Sequence, residues 1–325
     1  LARIIRYHQT GSADVLQVEE TDVAPPAAGE VRIRVEAIGL NRADLLVRSG
    51  LHPIKPRFPA QIGAEAAGRV EAVGEGVDGF APGDAVSVIP RVTSDFGTCA
   101  EFINVPVRYV QPNPAGLNMA EAAALWIAAL TVTGGMIGTG RLGPADTVLL
   151  PAASSSVGIA AIQLARFVGA VPIAVTRGRD KADRLLALGA HDVIVSDEED
   201  VATRVDAITG GEGVRLVFDP IGGPGVATLA GTLAPRGGYV IYGSLSFDPT
   251  PFPVAQAFAR DFWMRTYALD PVGHDLAPSI RIIREAVARG VLRPAIGASF
   301  PLDRVADAYR IMESNRHVGK IVLTV

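Results

Sequence analysis

From residue 3 to residue 105, apolar and polar positions alternate or run in short apolar blocks, and the blocks fall between glycine and proline turns. Arg3 to Tyr7, Val15 to Glu19, Val31 to Ile38, Gly68 to Val73, Ala85 to Ile89 and Cys99 to Val105 read as strands. Pro25-Pro26, Gly74-Glu75-Gly76 and Pro82-Gly83-Asp84 supply turns between them. Short strands with frequent turns predict a compact β-barrel. One helix, Arg42 to Arg48, interrupts them, with Asn41 at its N-cap position. A proline-rich loop, Pro53 to Pro59, follows, and a stiff loop on a barrel is a place where binding residues are often carried.

From Met119 the pattern alternates between helical and extended spacing. Ala120 to Gly134 reads as an alanine-rich helix, and strands are expected at 147–150, 171–175, 192–195, 214–219 and 238–243 with helices between most of them. Repeated βα alternation predicts an α/β domain built on a doubly wound parallel sheet. Phe262 to Ala268 reads as the last strand of that sheet. Two amphipathic helices, Ser279 to Arg289 and Arg304 to Ser314, and a strand, Lys320 to Val325, form a tail expected to pack on the barrel. The expected division is 1–121 with 274–325 for the barrel domain and 122–273 for the parallel-sheet domain.

Composition narrows the class. The 325 residues exceed what one core usually serves, and 49% hydrophobic with 20% charged residues describes an ordinary globular protein. A net charge of −4 gives no general attraction to nucleic acid or membrane. Cys99 is the single cysteine, which rules out an intrachain disulfide and a thiolate-rich metal site. No apolar run reaches about 18 residues and no signal-peptide core is visible, so a cytoplasmic location is expected.

Residues 147 to 181 are the stretch around which the rest is arranged. Thr147-Val148-Leu149-Leu150 is a strand of the kind buried on both faces, and a turn of small residues follows. Helical spacing begins at Val157 and ends at Gly169, and Val171 to Val175 is extended again. In such a βαβ unit the turn is where a dinucleotide pyrophosphate meets backbone N–H groups at a helix N-terminus. Ala153, Ser155 and Gly158 stand at the three fingerprint glycine positions, so only the third glycine is kept; a small-residue turn that binds nothing is the alternative. The second strand ends in Thr176-Arg177-Gly178-Arg179-Asp180-Lys181 rather than in an acid, which points to the 2′-phosphate of NADP. Arg177 and Lys181 are read as phosphate contacts, Arg179 as a surface charge, and Asp180 as the start of a helix from Lys181 to Leu188.

The chain resembles the zinc-free quinone oxidoreductases of the medium-chain dehydrogenase/reductase superfamily over nearly its whole length. The resemblance is carried by Gly39-Leu40-Asn41-Arg42-Ala43-Asp44, Gly63 to Gly68, Gly83-Asp84-Ala85-Val86, Leu130-Thr131, the βαβ unit, Asp219-Pro220-Ile221-Gly222-Gly223 and Gly319-Lys320-Ile321-Val322-Leu323. It implies a GroES-like barrel completed by the C-terminal tail and a Rossmann domain that binds NADPH. Zinc-dependent relatives place Cys where this chain has Asn41 and His where it has Ala64, so no metal is expected. By the same resemblance, Asn41 and Thr131 approach the nicotinamide, and Ser155, Ser156 and Val157 the pyrophosphate. Thr176, Arg177 and Lys181 meet the 2′-phosphate, while Ile221, Ser244, Leu245 and Lys320 line the nicotinamide and ribose. Relatives often carry Tyr at the position of His52 and near Thr133, so the substrate cannot be transferred by analogy.

The implied activity is NADPH-dependent reduction of a quinone or an α,β-unsaturated carbonyl compound. Catalytic candidates are Asn41, His52 and Thr131; His52 is the one able to donate a proton near neutral pH, with an ordinary pKa of about 6.5, and an exposed loop histidine without a role is the alternative. Asp44 is read as complementing the helix dipole in preference to orienting His52. Cys99 is read as a small barrel hydrophobe. Two other functions stay open. One is a 2-enoyl thioester reductase, for which Lys55, Arg57 and Arg260 form no convincing basic cluster; the other is a non-catalytic NADPH-binding protein, as the lens crystallins of this family are. A homodimer through Phe262 to Tyr267 is expected, because that aromatic strand sits at a sheet edge.

Overall fold

Residues 1–90, 96–270 and 273–325 are described here from a computed structural model. Contacts divide the chain into two units, Leu1–Ile127 with Pro294–Val325, and Ala128–Arg293. In chain order the first unit supplies β1 (Ala2–Tyr7), β2 (Gln17–Thr21), β3 (Glu30–Gly39), α1 (Arg42–Arg48), β4 (Ala60–Gln61) and β5 (Glu65–Val73). It continues through β6 (Ala85–Val88), β7 (Phe102–Pro106), β8 (Val110–Pro112), α2 (Met119–Ala123) and the start of α3 (Trp126–Thr131). The second unit holds β9 (Thr147–Leu150), α4 (Ser156–Phe167), β10 (Val171–Thr176), α5 (Ala182–Ala187), β11 (Asp192–Val195) and α6 (Val201–Thr209). It also holds β12 (Val214–Asp219), α7 (Val226–Gly231), β13 (Leu233–Ile241), α8 (Val254–Arg260), β14 (Trp263–Thr266) and α9 (Ala277–Ala288). The tail returns to the first unit as β15 (Ile296–Pro301), α10 (Val305–Ser314) and β16 (Lys320–Thr324).

The first unit is the GroES-like barrel. Its larger sheet runs β15-β16-β3-β5-β6-β8 with β7 also on β3, and its smaller one runs β2-β1-β4. β3 is the central strand: its inward residues Val31, Ile33 and Val35 are buried with Ile4, Val70, Ile103 and Leu323 in one core. β16 enters antiparallel to β3, Leu323 opposite Ile38, so the tail completes the barrel as the resemblance implied.

The second unit is a Rossmann sheet of six parallel strands in the order β11-β10-β9-β12-β13-β14, with β14 at its edge. The expected strands 147–150, 192–195 and 214–219 appear with those bounds, since two-sided burial makes them continuous apolar runs. Gly169, at φ 81, follows the end of α4 as the expected glycine terminator.

Several elements depart from the sequence pattern. The expected helix 120–134 is broken into α2 and α3 and then widens into a π-helix, Val132–Thr139. Glycine is needed in this segment: the Tyr267 hydroxyl lies 2.0 Å from where a Cβ on Gly134 would stand, and Phe218 and Tyr267 come within 2.9 and 3.0 Å of one on Gly135. β13 starts at Leu233, before the expected 238, its first half hidden by Pro235 and Gly237-Gly238. A 3-10 turn, Arg179–Lys181, absorbs Asp180, and α5 begins after it without a side-chain cap, so Asp180 does not start that helix. The unit boundaries lie beyond the expected 121 and 273, which places α9 with the Rossmann sheet. Gln163 of α4 holds residue 293 there, donating to the Arg293 carbonyl and accepting its N–H, both at 3.1 Å.

Candidate functional site

The barrel residues are set by strand register. Gly39 on β3 lies opposite Glu65 on β5 and opposite Val322 on β16, and Lys320 is two residues before Val322. With a side-chain period of two, Glu65 and Lys320 therefore emerge on the face where Gly39 has no side chain. A Cβ at Gly39 would stand 2.2 Å from the Ala123 carbonyl oxygen and 2.9 Å from both Glu65 Oε1 and Lys320 Cε. The glycine is what lets an ammonium and a carboxylate meet there, and they do so almost wholly buried, at 1% and 0% exposure. Lys320 Nζ also donates to Asn41 Oδ1 at 2.6 Å. Asn41 Nδ2 donates to the Gly39 carbonyl at 3.1 Å and to Glu65 Oε1 at 3.2 Å, and Glu65 Oε2 accepts the Ile127 N–H at 2.9 Å. Both amide N–H groups of Asn41 are thus engaged, which leaves its oxygen, an acceptor, as what it offers a ligand.

A catalytic zinc takes three protein donors and an open position. Position 41 here is an amide whose oxygen already binds an ammonium, position 64 is a methyl group, and Glu65 is paired with Lys320. This donor set does not fit a zinc ion. Among the described residues, no cluster of three or more His, Cys, Asp or Glu is arranged to hold a metal.

Beyond α1, His52 is half-buried, and its Nδ1 accepts the Ile54 N–H at 3.1 Å. That bond fixes the neutral tautomer with its proton on Nε2. Burial first, and the Lys55 ammonium second, hold its pKa below the ordinary 6.5. Asp44 does not orient this ring: its carboxylate accepts the Asn41 N–H at 2.9 Å and the Tyr309 hydroxyl at 3.4 Å. Cys99 is buried with its thiol pKa pushed well up by that burial, the setting of an inert core thiol.

On the Rossmann unit, parallel strands bring the candidate groups to one sheet edge, because the turn after β9, the end of β10 and the loops after β12 and β13 all leave carboxyl ends. The left-handed residue of the β9 turn is Ala152, φ 50, one position before the Ala153 assigned by the fingerprint. Gly158 is needed where sequence placed it: a Cβ would stand 2.5 to 2.7 Å from the backbone of Ala153. Ser155 caps α4, its hydroxyl oxygen accepting the Gly158 N–H at 3.0 Å. The first N–H groups of a helix have no acceptor within it, so those of Ser156 and Val157 face outward for an anion.

At the end of β10, Thr176 is buried, Arg177 is exposed and Lys181 is half-buried. Burial lowers the Lys181 pKa, with Asp180 opposing the shift and Arg177 adding to it. Arg179 is turned to Glu198, 2.8 Å from its Nε, as an exposed ion pair. Asp219 organises the next loop: its buried carboxylate accepts the N–H groups of Ile221 at 2.7 Å and Gly222 at 3.1 Å and the Tyr239 hydroxyl at 2.8 Å. That loop is laced to the one after β13 through Leu245 N–H to Pro220 at 3.0 Å and Ser246 N–H to Ile221 at 2.9 Å. Ile221, Ser244 and Leu245 are therefore held on two loops that fix each other. Thr131, at the end of α3, is buried directly before the π-helix, an irregularity that often marks functional positions.

Comparison with known proteins agrees with this geometry. A family model described as alcohol dehydrogenase GroES-like domain matches residues 27–140, and one described as zinc-binding dehydrogenase matches residues 188–323. The chain is 35% identical to quinone oxidoreductase 1 of Escherichia coli (strain K12), over 99% of each chain. It belongs to the quinone oxidoreductase-like medium-chain dehydrogenase/reductases. Among solved structures, this oxidoreductase superposes on one described as an NAD-dependent alcohol dehydrogenase with a TM-score of 0.93, at 32% identity over 99% of each chain. It superposes on the Escherichia coli quinone oxidoreductase complexed with NADPH with a TM-score of 0.90, at 30% identity over 99% of this chain and 100% of that one.

In this family member the sequence-derived residues form two groups. Asn41 and Lys320 are joined in one hydrogen-bonded cluster on the barrel, with His52 apart from it beyond α1. Ser155, Ser156, Val157, Thr176, Arg177, Lys181, Ile221, Ser244 and Leu245 share the carboxyl edge of the Rossmann sheet. Glu65 was not assigned to the site from sequence. Its signal was an acid inside the small apolar run Gly63 to Gly68, where an unpaired carboxylate would be costly.

Proposed function

We propose that this oxidoreductase reduces quinones or α,β-unsaturated carbonyl compounds with NADPH and without zinc. The observation that carries the reading is the buried Asn41–Glu65–Lys320 cluster, in which an ammonium binds the side chain at a position where zinc-dependent relatives keep a metal ligand. For the cofactor, support comes from the N–H groups at the start of α4 and from Arg177 and Lys181 at a strand end without an acid. Arg177 and Lys181 would hold the 2′-phosphate, with Thr176 beside them, and Ser155, Ser156 and Val157 the pyrophosphate. Thr131, Ile221, Ser244, Leu245, Asn41 and Lys320 keep their nicotinamide and ribose roles as part of the same proposal.

NADPH supplies the hydride from its nicotinamide C4, and the protein aligns, shields and polarises. Asn41, with both N–H groups engaged, positions through its oxygen. His52 presents Nε2–H as a donor to the oxygen on which charge develops.

NADPH oxidation followed against quinones, enals, enones and enoyl thioesters tests the reading. Turnover of quinones or enones is the expected result. Tight NADPH binding with no turnover across the whole panel would overturn it in favour of a non-catalytic NADPH-binding protein, and turnover confined to the thioesters would reassign the substrate.

A further inference from the structure

Asp44 lies three residues into α1 and takes no part in the scheme above, yet it is only 5% exposed. Its Oδ2 accepts both the Asn41 N–H and the Tyr309 hydroxyl of α10. Arg48, one turn further along α1, lays its guanidinium over the Tyr309 ring at 5.2 Å from the centroid and binds Glu313 at 2.5 Å. Tyr7 of β1 and Cys99 both have their pKa raised in part by the Asp44 charge. From β16 the Lys320 ammonium favours the Asp44 carboxylate, and from β5 the Glu65 carboxylate opposes it. Asp44 is thus the acid through which the barrel core addresses Asn41.

We propose that Asp44 is a positioning residue for Asn41, and that gain or loss of its proton changes how firmly the first turn of α1 holds Asn41 in the site. The proposal rests on the reductase reading. Ionised, Asp44 makes a charge-assisted bond to the Asn41 N–H and complements the positive end of α1; neutral, it makes a bond about half as strong. Lys320 fixes the Asn41 side chain, so the change falls on its backbone, two residues after Gly39. Desolvation is the largest influence on Asp44 and pushes its pKa up to about 7, with the Asn41 N–H and Lys320 opposing it. The hold on Asn41 therefore strengthens as pH rises through neutrality. His52 titrates below 6.5 and stays an uncharged Nε2–H donor above it, so a limb through neutrality that is lost in Asp44→Asn does not belong to His52.

The test is kcat/KM for the acceptor at saturating NADPH from pH 5.5 to 9 in the wild type, Asp44→Asn and Tyr309→Phe. It is joined by NMR titration of the Asp44 carboxyl carbon and the Asn41 amide. The wild type should rise about fivefold through neutrality, the size of a gain of about 1 kcal/mol in one hydrogen bond. Asp44→Asn should be flat at the wild type's acid-side level. Tyr309→Phe, which deprives the carboxylate of a donor, should move the limb to higher pH, and it carries the kinetic test if Asp44→Asn does not fold. An Asp44 carboxyl that titrates near its ordinary value, or a limb that survives in Asp44→Asn, overturns the proposal. If no acceptor is turned over, the reductase reading has failed on its own, and the Asn41 amide still decides: a shift that follows the Asp44 titration supports the positioning role, and an amide indifferent to it overturns that role.

Discussion

His52 keeps Nδ1 on the Ile54 N–H, and with its pKa held low by burial it would act in the proposed reaction at neutral pH as an uncharged Nε2–H donor. His52→Ala should lower kcat about 100-fold, the scale of losing a positioned donor or acid, while the NADPH dissociation constant stays unchanged. Stopped-flow turnover beside a fluorescence titration checks this, and a change confined to KM would reduce His52 to shaping the pocket. On the Rossmann unit, Arg177 is exposed while its neighbour Arg179 is drawn off to Glu198. A charge-assisted contact to phosphate contributes about 1.5–3 kcal/mol, so Arg177→Ala should weaken NADPH roughly 10- to 100-fold and leave NADH nearly as before. Equal affinity of the unmutated protein for NADPH and NADH would refute that assignment.

At the scale of elements, β14 is the exposed question. It pairs β13 on one side and forms the edge of the six-stranded sheet, with Arg265 and Thr266 exposed. An unpaired aromatic edge is an association template unless something covers it, so a homodimer joined through β14 is expected, with the two strands related by a two-fold axis. Light scattering at micromolar concentration should give twice the mass of one chain, and the mass of a single chain would contradict it. Other strands of the same sheet show which parts of the fold sequence can reveal. β9, β11 and β12 were legible with their bounds because two-sided burial writes itself as an unbroken apolar run. The π-helix was not, since the ring packed against its glycines, Tyr267, lies far along the chain. The same limit hid Glu65. Asn41, Lys320 and the β9 turn carry local motifs, whereas the meeting of Glu65 and Lys320 over Gly39 exists only once three strands are in register.

For the whole molecule, the proposed zinc-free chemistry has Lys320 as the cation of the barrel cluster, so activity should survive dialysis against a strong chelator and gain nothing from added zinc. Loss of turnover on chelation, restored by zinc, would overturn the zinc-free reading. That cation arrives on β16, whereas the glycine and acid it meets belong to β3 and β5, so the barrel unit is assembled from two stretches of chain with the whole Rossmann unit between them. During synthesis this imposes an order. Residues 128–293 form one continuous segment able to fold as it leaves the ribosome, whereas β3 must wait with an open edge until residue 320 has emerged. Ribosome-bound chains stalled after residue 293 has cleared the exit tunnel but before residue 320 has should resist protease over 128–293 and be cut within 1–127, and uniform resistance would show that the barrel closes without its last strand. Under the proposed function, nucleotide recognition would thus come into being before Lys320 completes the barrel cluster, and a nascent chain would bind its cofactor before it could use it.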